Sequence, residues 1–176
     1  MKKTSITAMI LIAVFALAGC SEDNNPVGVS GGEKVKPSER TTIVDVALAA
    51  NADSGEFSTL IAAVLAADLV DALSGNGQLT VFAPTDAAFA KLDLNADNIG
   101  DLETEALTNI LLYHVAKGRR MAEDVVASTQ IRMLNGQFTE IGLRDDGAYI
   151  DESLIISTDI PADNGVIHVI DTVLMP

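Results

Sequence analysis

A chain of 176 residues with a formal net charge of −14 has room for one domain with a proper core. Its acidity argues against nucleic-acid binding and against docking on anionic lipid, since both draw affinity from clustered basic side chains. A single cysteine excludes an internal disulfide, and the lack of tryptophan leaves packing to Val, Leu, Ile and Ala.

The chain opens with a positive pair, Lys2 and Lys3, followed by an apolar run over residues 6–18 that is too short to span a bilayer. With the small residues Ala18 and Gly19 behind it, this predicts a secretion signal over residues 1–20. Leu17-Ala18-Gly19-Cys20 resembles the lipobox of bacterial lipoproteins. That resemblance implies that the Cys20 thiol takes a diacylglycerol and its freed amine an acyl chain, and two or more chains anchor a protein stably. Ser21 after the cysteine resembles an outer-membrane sorting context in Gram-negative hosts. Residues 1–20 hold two lysines and no acid, so the remainder carries −16. Residues 21–40, rich in Asn, Pro, Gly and Ser, predict a flexible tether between lipid and domain.

The domain is expected over residues 41–176. Thr41 and Thr42 are candidate caps for a helix over residues 43–50. Phe57, Leu60, Ile61, Val64 and Leu65 follow the helical period, with Ser54 as a start signal. Asp68 is a candidate cap for a short helix over residues 69–73, and Gly75-Asn76-Gly77 breaks the chain. Residues 79–89, LTVFAPTDAAF, predict strand, turn, cap and helix in succession: Pro84 stops the ladder, and Thr85 or Asp86 accepts from free helical N–H groups. Asp93, Asn95 and Asp97 resemble the start of a calcium loop, but Asn98 and Thr104 stand where that loop needs glycine and glutamate, so a solvated loop is expected.

A helix over residues 103–112 leads into Tyr113-His114-Val115. Lys117, Arg119 and Arg120 form the tight basic cluster of an acidic chain. From there the pattern turns to strands. Asn135-Gly136 and Asp146-Gly147 mark hairpins, a strand over residues 154–160 is closed by Pro161, and Asn164-Gly165 turns into a strand over residues 166–171. Helices first and strands second predict an α+β domain.

Three motifs add a resemblance. Residues 79–89 and 164–176 are similar to the two signature motifs of the fasciclin domain, and Leu111–Val115, LLYHV, resembles its tyrosine-histidine motif. The resemblance implies a two-sheet β wedge with helices around it, and central strands near Val81 and Ile167 lying side by side. It also implies an adhesion or binding module. Tyr113 and His114 would then be either binding anchors or residues that hold the fold, with His114 bonded near the Thr85-Asp86 turn. Thr85, Asp86 and His168 are expected to be structural, His168 either exposed on one strand face or hydrogen-bonded in the core.

No catalytic set stands out. Two histidines with scattered acids lack metal-ligand spacing, and neither Gly-x-Ser-x-Gly nor a phosphate-cradling loop is present. An enzymatic role would require Asp86, His114 and Asp171 to converge in an open cleft. The expectation is a lipid-anchored envelope module without catalytic activity, metal or cofactor. It would touch the membrane through Cys20 and bind a protein, a polysaccharide or another copy of itself. The alternative is a carrier of a small apolar ligand between sheets and helices.

Overall fold

Two neighbouring strands near the middle and the end of the sequence divide this domain into two cores. The computed structural model describes residues 40–176; the signal, Cys20 and all but the last residue of the tether lie outside the described residues. The helices are α1 (Ile43–Ser54), α2 (Ser58–Ala66), α3 (Val70–Ser74), α4 (Asp86–Ala90), α5 (Thr104–Tyr113) and α6 (Ala122–Ala127). The strands are β1 (Leu79–Pro84), β2 (Val115–Lys117), β3 (Gln130–Arg132), β4 (Phe138–Arg144), β5 (Gly147–Ile150), β6 (Ser153–Ala162) and β7 (Gly165–Ile170).

The strands run β2-β1-β7-β6-β5-β4-β3. The expected wedge is thus one ribbon curled on itself, and its ends meet where Ala116 bridges Met133 and the Leu134 N–H donates to the Val115 carbonyl at 2.7 Å. Curling removes the open edges that invite aggregation. β1 and β7 lie side by side, as the motif resemblance implies, and they pair in parallel with Val81 opposite Ile167. Both are buried along their whole length, as parallel strands covered on both faces must be. Leu79, Val81, Ala83, Ile167 and Val169 face the helix-side core with Leu60, Val64, Phe89 and Leu111. Phe82 and Ile170 face the strand-side core with Tyr113, Val125, Ile131 and Ile150. Gly165 is required at the start of β7, because a Cβ there would lie 2.1 Å from the Leu79 carbonyl oxygen.

Several elements differ from their predicted form. α1 runs four residues past position 50, so Ser54 closes that helix instead of opening the next, and its hydroxyl donates to the Ala50 carbonyl at 2.9 Å. Gly55, left-handed at φ 71°, ends α1. Thr42 supplies the expected cap as half of a capping box, with Asp45 accepting from the Thr42 N–H at 2.8 Å. Asp68 does not cap α3; it adopts a left-handed φ of 54° between α2 and α3. Pro161 lies inside β6, opposite Val166. β5 meets β6 only at Ser153 and Leu154, so no neighbour asks Pro161 for an N–H on that side.

Candidate functional site

The turn after β1 uses its two polar side chains on two different helices. Thr85 caps its own α4, accepting from the Ala88 N–H at 3.3 Å. Asp86 instead caps α2, which has no capping side chain of its own. One carboxylate oxygen accepts from the Thr59 N–H at 2.8 Å; the other accepts from the Ser58 N–H at 3.2 Å and from the Ser58 hydroxyl. Burial works to raise the Asp86 pKa, but the Ser58 hydroxyl and these N–H groups outweigh it and hold the carboxyl below the usual carboxylate range.

His114 is buried at the end of α5. Its Nδ1 lies 2.8 Å from the Ile110 carbonyl, and its Nε2 accepts the Leu174 N–H at 2.9 Å. A ring that accepts at Nε2 is neutral and carries its proton on Nδ1, which therefore donates to Ile110. Burial pushes the pKa down to about 4. His114 thus does not bond the Thr85-Asp86 turn as expected: it pins the C-terminal segment to α5. Tyr113 is buried too, and its hydroxyl reaches Asp151 Oδ2 at 3.1 Å and the Phe138 carbonyl at 3.3 Å. Burial and the Asp151 charge raise its pKa to about 12.

His168 takes the core alternative left open by the sequence. It is fully buried and stacks on Phe82, its partner across the β1–β7 ladder, with ring centroids 5.5 Å apart. The Asp159 N–H donates to Nδ1 at 3.3 Å, so Nε2–H donates to the Arg120 carbonyl at 2.9 Å. The buried Thr80 hydroxyl adds to this, donating to the Gly118 carbonyl at 2.7 Å and accepting the Arg120 N–H at 2.9 Å. The backbone of the basic segment is therefore held from beneath.

The chemistry-bearing residues are not brought into one cleft. Asp171 accepts the Leu154 N–H at 2.9 Å and pairs with Lys91 at 3.2 Å, while both His114 nitrogens are engaged with backbone. In the loop over residues 93–98, Asn95 and Asn98 bond neighbouring backbone: the Asp97 N–H donates to Asn95 at 2.9 Å and Asn98 donates to the Asp93 carbonyl at 2.9 Å.

Two further features complete the site, the first missed by the sequence reading and the second raised there only as an alternative. Asn164, expected only as a turn residue, is buried and binds three backbone groups, accepting the Ile43 N–H at 2.9 Å and donating to the carbonyls of Leu73 at 2.6 Å and Gly75 at 3.1 Å. It fastens the start of α1 and the end of α3 to β7; an Asn-Gly pair read as a hairpin hides that role. The second is an apolar cleft of about 180 Å³, lined by α1, α2, α3, the end of α5 and the central strands. Another apolar hollow, of about 290 Å³, shares Leu111 and His114 with it as a common wall.

A curled sheet whose central parallel pair carries the two signature motifs, with α1 to α4 packed on one face, defines a fasciclin-type domain. The fasciclin-domain family model matches residues 55–176, and the chain belongs to that family. The cyanobacterial protein sll1483 of Synechocystis is 38% identical over 183 aligned residues, covering 97% of this chain and 98% of that protein. Transforming growth factor-beta-induced protein ig-h3 of Sus scrofa is 42% identical over 123 residues, which cover 68% of this chain but 18% of that longer protein. Among solved structures, a FAS1 domain pair from the insect cell adhesion molecule Fasciclin I superposes with a TM-score of 0.63 at 18% identity, covering 77% of this chain and 51% of that one.

Proposed function

We propose that this protein is a lipid-anchored binding module of the bacterial cell envelope, without catalytic activity, which engages a protein or polysaccharide at the cell surface or another copy of itself. The observation that carries this reading is the occupation of the motif side chains. Thr85 and Asp86 cap helices, while Tyr113, His114 and His168 hold backbone and turn groups. The groups with chemistry are spent on the fold, so recognition falls to the exterior. Fasciclin I, a fold neighbour, is described as a cell adhesion molecule, which supports an adhesive role. Anchoring rests on the lipobox resemblance at Leu17–Cys20, and an outer-membrane location in a Gram-negative host rests on Ser21.

Fractionation tests the anchor: the native protein is expected with membranes, and the Cys20→Ser variant in the soluble fraction. Immobilised chain is expected to retain a specific component of host envelope or matrix. A deletion strain whose attachment, biofilm and matrix binding all match the parent would overturn the adhesive role.

A further inference from the structure

α2 is a surface helix whose sequence, STLIAAVLA, contains no charged residue. An outer helix normally turns a polar face to water, and one that is apolar all round belongs inside a protein. Here Leu65 is 64% exposed, and Leu48 on α1 and Leu134 stand beside it at 47% and 40%. All three line the mouth of the 180 Å³ cleft. An apolar hollow and an apolar rim therefore coincide in one place.

We propose that this cleft is a binding site for an uncharged hydrophobic small molecule, held by a ring or chain end seated between α1, α2, α3 and the central strands. The occupant's chemistry follows from the walls. Nineteen of the twenty lining residues are aliphatic, and the twentieth, His114, has given both ring nitrogens to Ile110 and Leu174. Nothing in the lining can neutralise a carboxylate or phosphate, and burying such a group unpaired is strongly unfavourable. The size follows from the volume: an apolar cavity of about 150 Å³ takes up benzene, so this one accepts a single ring or a chain of roughly six to eight carbons. The rest of a longer molecule would lie across Leu48, Leu65 and Leu134. The site goes beyond the envelope-adhesion role and does not depend on it.

The test uses the full chain and the neutral dye N-phenyl-1-naphthylamine, which brightens in apolar surroundings; the chain has no tryptophan to confuse the signal. Dye bound by the apolar residues 6–18 is common to every variant, so the readout is the part of the signal that depends on the cleft. Saturable brightening is expected, reduced about tenfold or more in apparent affinity by Ala47→Phe, which fills the cleft, and by Leu48→Gln/Leu65→Gln, which changes only exposed rim positions. Leu143→Gln, an exposed leucine away from the cleft, is expected to change nothing. 1-Octanol should displace the dye at least tenfold better than octanoate. Equal brightening in all variants would overturn the site, and equal competition by octanoate would overturn its preference for uncharged ligands. Flotation with phosphatidylcholine vesicles supplies the remaining arm. Native chain that floats through Leu48 and Leu65 without cleft-dependent dye binding would make the patch a bilayer contact and overturn the proposal.

Discussion

The two cores on either side of β1 and β7 are built on different terms. The strand-side core surrounds buried polar groups and satisfies them: His168 between Asp159 and Arg120, Thr80 between Gly118 and Arg120, Thr139 against the Ile131 carbonyl at 3.3 Å, and Ser153 against the Thr172 carbonyl at 2.6 Å. The helix-side core is larger and keeps its buried polar groups, Thr42, Thr59, Thr85, His114 and Asn164, at helix ends and the start of β7, so that its middle is apolar and interrupted by the cleft. Directional bonds fix a single arrangement, whereas aliphatic contacts of similar size tolerate several. The same pair of strands thus supports one rigid half and one half with room to adapt.

The largest effect should come from the strand side. Phe82→Ala removes the ring that stacks on His168 at the closed centre of the sheet, and about 3–5 kcal/mol of stability should be lost. Leu60→Ala on the helix side should cost only about 2 kcal/mol, because Leu60 already borders the cleft and its neighbours have space to close in. Urea unfolding of both variants measures the contrast, and equal losses would mean that the two cores are equally rigid.

His114 sits where the halves meet and gives the comparison a pH dependence. Its folded pKa of about 4 lies below the ordinary 6.5, so between those values the unfolded chain binds a proton that the folded chain refuses. Stability is therefore full above about pH 6.5 and falls as the pH drops toward 4, by up to about 3 kcal/mol. Asp86 and Asp171 have depressed values, so their contributions are lost as the pH falls below the usual carboxylate range, beneath the His114 window. The urea midpoint should decline between pH 7 and 5 in the native chain and stay flat in His114→Leu. A His114 ring that titrates near 6.5 by NMR would contradict this.

Asp86→Ala should cost about 1–2 kcal/mol by uncapping α2, and Thr85→Ala about 1 kcal/mol by uncapping α4. Hydrogen exchange separates them: the first should speed exchange at Ser58 and Thr59, the second at Ala88. This pair also marks the limit of legibility. Residues 79–89 announce strand, turn and cap, because each depends on near neighbours such as Pro84 and Ala88. That Asp86 serves a helix starting 28 residues earlier depends on tertiary placement, and the sequence around Asp86 carries no trace of it. The adjacency of the strands near Val81 and Ile167 came through because two family motifs marked both strands, though not their parallel direction. The His114–Leu174 bond spans 60 residues and did not. The cleft was legible only as an alternative, a pocket between sheets and helices, since each lining helix shows only apolar residues at helical spacing, and that pattern fits a filled core equally well.

The smallest expected effect bears most directly on the open side of the helix core. Leu48→Gln and Leu65→Gln should each leave the urea midpoint within about 0.5 kcal/mol of native, since both side chains are exposed and glutamine is a good helix former. Leucines that stabilise nothing have no folding reason to be leucine, and water disfavours them where they stand. A loss of 2 kcal/mol or more in either variant would instead place them in the core and close the cleft to any occupant. A negligible loss leaves α2 with an apolar face that the fold does not use, on the same side of the molecule as the one half able to rearrange around something bound there.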